Sequence, residues 1–158
     1  MKHIEITTRV TTAQYEELSI SEQKIVDEAR QVSMRAYAPY SKFSVGAAIL
    51  LSNGEIVTGA NQENIAYPSG TCAERTACFY AHSQHPEAQF KIIAIAARDT
   101  NGKEVAEPIS PCGSCRQALL EYEKLAGDSI KVILVGADVI YILPSIKSLL
   151  PLSFSEFK

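Results

Sequence analysis

Two short stretches carry most of the reactive side chains of this chain: Thr71-Cys72-Ala73-Glu74-Arg75-Thr76-Ala77 and Pro111-Cys112-Gly113-Ser114-Cys115-Arg116-Gln117. Cys72, Cys112 and Cys115 offer three thiolates, which suit zinc. Three protein ligands leave the fourth corner of tetrahedral zinc free for a water, the catalytic arrangement, whereas four ligands close a structural site. A Cys-x-x-Cys pair alone is ambiguous, because redox motifs and zinc knuckles use it too. Cys72-Ala73-Glu74 removes most of that ambiguity by setting a carboxylate two positions from a third ligand. Bound to such a metal, water ionises near neutral pH, and Glu74 is the base placed to take its proton. Cys78, six residues after Cys72 and roughly 240° around the helix, reads as core. His3, His82 and His85 have no ligand spacing to the cysteines and read as surface residues.

Cys72 and the Cys112/Cys115 pair both fall where helices are expected to begin. Exposed backbone N–H groups and the positive dipole end favour anions there, which assists thiolate formation. In mid-helix, residues 72 and 74 would point to roughly opposite sides, since successive residues advance about 100°. Both serve one site only if the helix end itself faces it. The pocket is therefore expected where two helix N-termini converge. Three thiolates and a hydroxide outweigh the charge of the metal, so such a site needs a charge-withdrawing neighbour. Arg75, three residues after Cys72, is placed to donate to the sulfurs, with Gln117 the weaker candidate.

A metal ligand, one spacer and Glu, with P-C-x-x-C downstream, is a zinc-deaminase signature, here with Cys72 where that signature often has His. With Pro39-Tyr40-Ser41-Lys42-Phe43-Ser44-Val45-Gly46-Ala47-Ala48 and Asn61-Gln62-Glu63-Asn64-Ile65-Ala66-Tyr67-Pro68, these motifs make the chain, from about Tyr37 to Phe154, resemble the small cytidine deaminases. Ser44 stands where that family commonly has Pro. The resemblance implies one zinc per chain and hydrolysis of cytidine and 2′-deoxycytidine to uridine and 2′-deoxyuridine, with release of ammonia, in pyrimidine salvage. It also implies that Phe43 packs on the pyrimidine, that Asn61 and Glu63 bind the ribose 3′-hydroxyl, and that the backbone N–H of Ala73 meets the 2-carbonyl oxygen. A homotetramer with shared active sites follows by the same resemblance, Tyr67 and Phe154 crossing between subunits. A deaminase of nucleoside antibiotics of the blasticidin type would share the metal site and differ on the sugar side, where Asn61 and Glu63 argue against it. A non-catalytic zinc-bound or RNA-binding relative is the remaining alternative.

A chain of 158 residues with 46% apolar content fits one domain, 1–158, able to bury a core without disulfide staples. Four cysteines, no apolar leader and no long apolar run point to a reduced, cytoplasmic protein with no membrane partner. The net charge of −3 and dispersed Lys and Arg exclude the basic stripe that long nucleic acid requires.

To position these residues the pattern offers a possible extended arm within residues 1–20, on Ile4, Ile6 and Val10. Ser19 with Glu22 reads as a capping box opening a helix from about 20 to 36, with Ile25, Ala29, Val32 and Ala36 at helical spacing. Val45 to Leu51 and Glu55 to Ala60 flank the Ser52-Asn53-Gly54 turn as a hairpin. Helices are expected over about 72 to 83 and from Gly113 to about Leu125. Strands are expected at Lys91 to Arg98, Ile130 to Val135 and Val139 to Leu143. The order predicts an α/β fold, a three-layer α/β/α sandwich around a mixed sheet of about five strands, as the resemblance also implies.

Overall fold

The structure, a computed structural model, describes residues 1–156. Six strands are found among them: β1 Thr11–Ala13, β2 Ser44–Leu51, β3 Ile56–Ala60, β4 Phe90–Arg98, β5 Lys131–Val135 and β6 Ile140–Leu143. Three helices accompany them, α1 Ile20–Ser33, α2 Ala73–Gln84 and α3 Gly113–Ala126. The sheet order is β1-β6-β5-β4-β2-β3; β4 and β5 are parallel, and the other neighbours antiparallel. The three-layer α/β/α expectation therefore holds, with one strand more than the sequence indicated.

The additional strand is β1. Its three residues pair with β6 as Thr11↔Ile142, Thr12↔Tyr141 and Ala13↔Ile140. Backbone hydrogen bonds at a sheet edge need no apolar alternation, so the Ile4/Ile6/Val10 pattern pointed a few residues too early; those three side chains are exposed. α1 stops three residues sooner than its apolar spacing suggested. Its box is complete, with Ser19 Oγ accepting from the Glu22 N–H and Glu22 Oε2 accepting from the Ser19 N–H. Beyond Ser33 the chain is drawn to the segment that follows β3 instead: the Tyr37 N–H donates to the Asn61 carbonyl, and the Glu63 N–H to that of Tyr37. Pro39 disfavours helix at the residue before it in any case.

Residue alternation along β4 divides the core into two halves. Ala94 and Ala96 join Ala48, Ile133 and Val135 beneath α1, packing on Ile25, Val26 and Ala29. Ile93 and Ile95 face the other way, with Ala47, Ile49, Val132 and Leu134, under Ala77, Cys78 and Ala81 of α2 and Leu119 and Leu120 of α3. Both faces of β4 are thus covered, as its near-continuous apolar run requires. At Gly54 of the hairpin φ is +88°, which glycine adopts without steric cost. Gly59 of β3 serves a different need: a Cβ there would lie 2.5 Å from the Ala77 nitrogen and 2.8 Å from the Ala73 carbonyl oxygen. Its missing side chain lets the first turn of α2 lie directly on the sheet, fixing where Cys72 and Glu74 emerge.

Candidate metal centre and cleft

Cys72 and Cys112 are both N-cap residues, with extended backbone at φ −74°, ψ 155° and φ −66°, ψ 165°. An N-cap lies outside the helical repeat, so the mid-helix opposition of residues 72 and 74 does not apply. Cys115 lies in the first turn of α3. The three sulfurs fall within 4.8 Å of one another, with Cys112 and Cys115 Sγ 3.5 Å apart. Around a tetrahedral zinc with bonds of about 2.3 Å, sulfurs stand about 3.8 Å apart. The trio is therefore a group that could hold one zinc after sub-ångström to ångström adjustments. All four cysteines are free thiols.

The electrostatics of the trio favour a metal. Cys72 is pulled well below the usual thiol range, chiefly by the Cys115 thiol donating to it and also by Arg75 and Cys112, against the opposing effect of burial. Cys115 is pushed upward by that donation and by burial. Arg75 Nη2 lies 3.8 Å from Cys72 Sγ, and its guanidinium is held charged by that contact. Arg75 Nε, of the same guanidinium, is buried with no hydrogen-bond partner among the described residues. Cys78 is kept out of the group: its Sγ is 3.7 Å from the Arg75 carbonyl, and burial pushes its thiol up to about 12.

Glu74 is 4% exposed, and burial raises its carboxyl above the ordinary range, offset in part by its own backbone N–H and the Cys115 thiol. A carboxyl so held takes and returns a proton near neutral pH more readily than an exposed one. Ala73, wholly buried, occupies the first helical position, where the N–H has no acceptor within the helix.

A cleft of about 480 Å³ opens beside Cys72 and Arg75, with Asn61, Glu63, Tyr67 and Tyr40 among its walls. Glu63 Oε2 accepts the Tyr40 and Ser41 N–H groups at 2.9 and 3.2 Å. Asn61 Oδ1 accepts from the Val45 N–H at 2.7 Å, and its Nδ2 donates to the Phe43 carbonyl at 3.0 Å. Both side chains thus shape the turn that carries Phe43, assisted by Lys42 in a left-handed conformation at φ 58°. Tyr40 and Tyr67 meet edge to face with centroids 5.9 Å apart. Tyr40 was legible only as part of its motif.

Two further expected site residues are not among those lining this cleft. Phe43 is half-buried and is not among the residues lining the cleft. Phe154 is exposed, and its carbonyl accepts from Gln117 Nε2 at 2.8 Å. Gln117 therefore turns its amide to the C-terminal segment. Its neighbour Arg116, which spacing did not single out, is the residue that grips the ligand-bearing turn: its Nε donates to the Pro111 carbonyl at 2.7 Å.

Residues 19–126 match the family model described as the cytidine and deoxycytidylate deaminase zinc-binding region. A cytidine deaminase of Sporosarcina psychrophila is 47% identical over 100 residues, covering 63% of this chain and 68% of that one. A probable cytidine deaminase of Dictyostelium discoideum is 40% identical over 134 residues, covering 85% and 84%. Among solved structures, the cytidine deaminase of Burkholderia pseudomallei superposes with a TM-score of 0.68 at 34% identity, covering 83% of this chain and 97% of its own. That of Mycobacterium tuberculosis gives 0.65 at 32%, covering 87% and 100%.

Proposed function

The chain belongs to the cytidine and deoxycytidylate deaminase family, and from that membership we propose that it hydrolyses cytidine and 2′-deoxycytidine to uridine and 2′-deoxyuridine, releasing ammonia. The observation that carries the chemistry is the buried Glu74 one residue past the first helical position after the N-cap Cys72, where two helix N-termini bring three thiols together. Zinc, when bound by Cys72, Cys112 and Cys115, supplies the Lewis acid that makes water nucleophilic at neutral pH.

Glu74 accepts a proton from the attacking water and delivers it to N3 of the base as the oxygen bonds to C4. It then carries the second proton to the 4-amino nitrogen, and the C4–N bond breaks to give ammonia. One carboxylate thus acts as base and then as acid, and the raised pKa suits both halves. The Ala73 N–H binds the 2-carbonyl oxygen. Arg75 offsets the thiolate charge. Glu63 and Asn61 hold the ribose 3′-hydroxyl: Glu63 keeps its second oxygen, and an amide keeps one N–H and one lone pair beyond the contacts already made. Phe43 packs on the base.

The pockets are completed between subunits of a homotetramer, with Tyr67 at a cross-subunit contact and Phe154 reaching a neighbour's nucleoside. The exposure of both aromatics supports that reading. The enzyme works in cytoplasmic pyrimidine salvage; no helix among the described residues is long and apolar enough to cross a membrane. Absorbance assays with cytidine, deoxycytidine, cytosine, CMP and blasticidin S test the substrate. The two nucleosides should be turned over and the other three left intact. Turnover of blasticidin S alone, or of none, refutes the proposal.

A further inference from the structure

The outward side of α3 grips main-chain groups of the segment that follows β6. Glu123 Oε2 accepts the Ile146 N–H at 2.7 Å, and its Oε1 accepts the Lys147 N–H at 3.1 Å. Both donors belong to the 3-10 turn Ile146–Leu149. Arg116 Nη1 donates to the Leu149 carbonyl at 2.9 Å, at the far end of that turn. Thr8 of the N-terminal arm takes the adjacent Ser148 carbonyl at 2.9 Å. Gln117 then holds the Phe154 carbonyl, and Lys124 that of Ser155. The segment is a strap tied along one helix.

Two ties face two ways: Glu123 Oε2 also accepts the Ile130 N–H at 3.0 Å, just before β5, whereas Arg116 reaches the turn that carries a cysteine of the site. While Nη1 holds the strap, Nε donates to the Pro111 carbonyl at 2.7 Å and Nη2 to Ser110 Oγ at 2.9 Å. Pro111 immediately precedes Cys112, the exposed ligand at the N-cap. A planar guanidinium fixes three acceptors in one rigid fork, which a lysine ammonium cannot do. Cys115 is buried within the helix; Cys112 is exposed, its carbonyl held by the Arg116 N–H at 3.0 Å and its other side set by the turn before it.

We propose that Arg116 is a positioning residue that locks the Ser110–Cys112 turn to the Ile146–Leu149 strap, so that a loosened strap loosens Cys112. This rests on the zinc reading of the three cysteines. Outer contacts that orient ligands typically govern metal affinity by roughly 10- to 100-fold.

The test is the rate at which the zinc-loaded full-length enzyme yields its metal to a chromogenic chelator. Arg116→Ala should release zinc roughly 10- to 100-fold faster, and Arg116→Lys should fall between it and wild type. Arg30→Ala breaks an ion pair with Glu104 beneath α1 and serves as the control for general destabilisation: its melting temperature should drop with release unchanged. Glu123→Gln slackens the strap and should speed release with Arg116 present but add nothing in the Arg116→Ala background. Wild-type release from the Arg116 variants, or additive effects in the double variant, overturns the inference while wild-type zinc content keeps the metal reading intact. A wild-type chain that binds no zinc overturns both. Should Arg116→Ala not fold, Arg116→Lys and the Glu123→Gln/Arg116→Lys pair distinguish the same outcomes.

Discussion

Replacing Glu74 with glutamine separates catalysis from stability in a way the burial of this side chain makes specific. At 4% exposure the carboxylate has lost most of its water, and its ionisation is penalised, so the folded pKa is raised. For a carboxyl raised on folding, the folded state holds more protons between the two pKa values. Stability therefore falls as pH climbs from the unfolded value through the folded one. The amide has the same shape and no charge to desolvate, so in metal-free protein Glu74→Gln should leave stability at pH 7 unchanged or higher. It should also flatten the decline above about pH 4.5. Turnover should behave oppositely. An amide cannot shuttle protons, and losing general acid–base catalysis costs about 10²- to 10⁴-fold, or roughly 3–5 kcal/mol of barrier. Urea unfolding of chelator-treated protein across pH 5–8 and cytidine turnover of the zinc-loaded form read the two quantities. Near wild-type turnover, or a variant much less stable than wild type, refutes the reasoning.

Cys112→Ala should lose zinc by elemental analysis, whereas Cys78→Ala should keep one zinc per chain and lose about 1 kcal/mol of stability to the small void; zinc lost from the second disproves the three-ligand assignment. Arg75→Ala removes the positive charge beside Cys72, so the acidic limb of the pH–rate profile should move to higher pH. A limb that stays in place reduces Arg75 to a packing role. Glu22 is penalised by burial, but hydrogen bonds from Lys131 and Ser19 outweigh this and lower its pKa to about 2. Its stabilisation is complete above about pH 4.5 and is lost as pH falls through about 2, so Glu22→Gln should be less stable at pH 7 and match wild type by acid, as followed by urea unfolding. Phe154→Ala should raise KM for cytidine by removing an aromatic contact of roughly 1–3 kcal/mol, with sedimentation run in parallel; an assembled variant with unchanged KM removes Phe154 from the pocket.

The elements that position the site were legible wherever local chemistry and packing agree. The Ser19/Glu22 box, the Asn53-Gly54 turn and the apolar run of β4 each satisfy a local rule and a tertiary need at once, and each lies where the pattern placed it to within a residue or two. Ala36 broke the agreement. It completes the helical spacing of α1, yet the chain leaves the helix after Ser33 because Tyr37 finds backbone partners at Asn61 and Glu63. Nothing in the residues around Tyr37 announces partners so far along the chain. The same holds for β1, whose three residues are defined by β6 rather than by any pattern of their own.

The site divides along a similar line. The cysteines and Glu74 were readable because ligand spacing and helix starts are local, and Gly59 then supplies the one packing detail that lets α2 bring them to the sheet. Arg116 was unreadable for the opposite reason. In sequence it is the residue beside a ligand, with nothing in its spacing to set it above Gln117. Only the fold shows that Gln117 turns to Phe154 while Arg116 reaches back to Pro111 and across to Leu149. A side chain with several fixed donors on a helix end can serve main-chain acceptors from opposite directions, and such acceptors leave no mark in the sequence. Residues that support a metal site through carbonyls are therefore found by asking which backbone groups next to each ligand are held, and by what. Asked of Cys72, the same question leads to Thr76, whose Oγ1 donates to the Cys72 carbonyl at 3.1 Å, and to Gln62, which exchanges backbone hydrogen bonds with Thr71 at 2.9 Å.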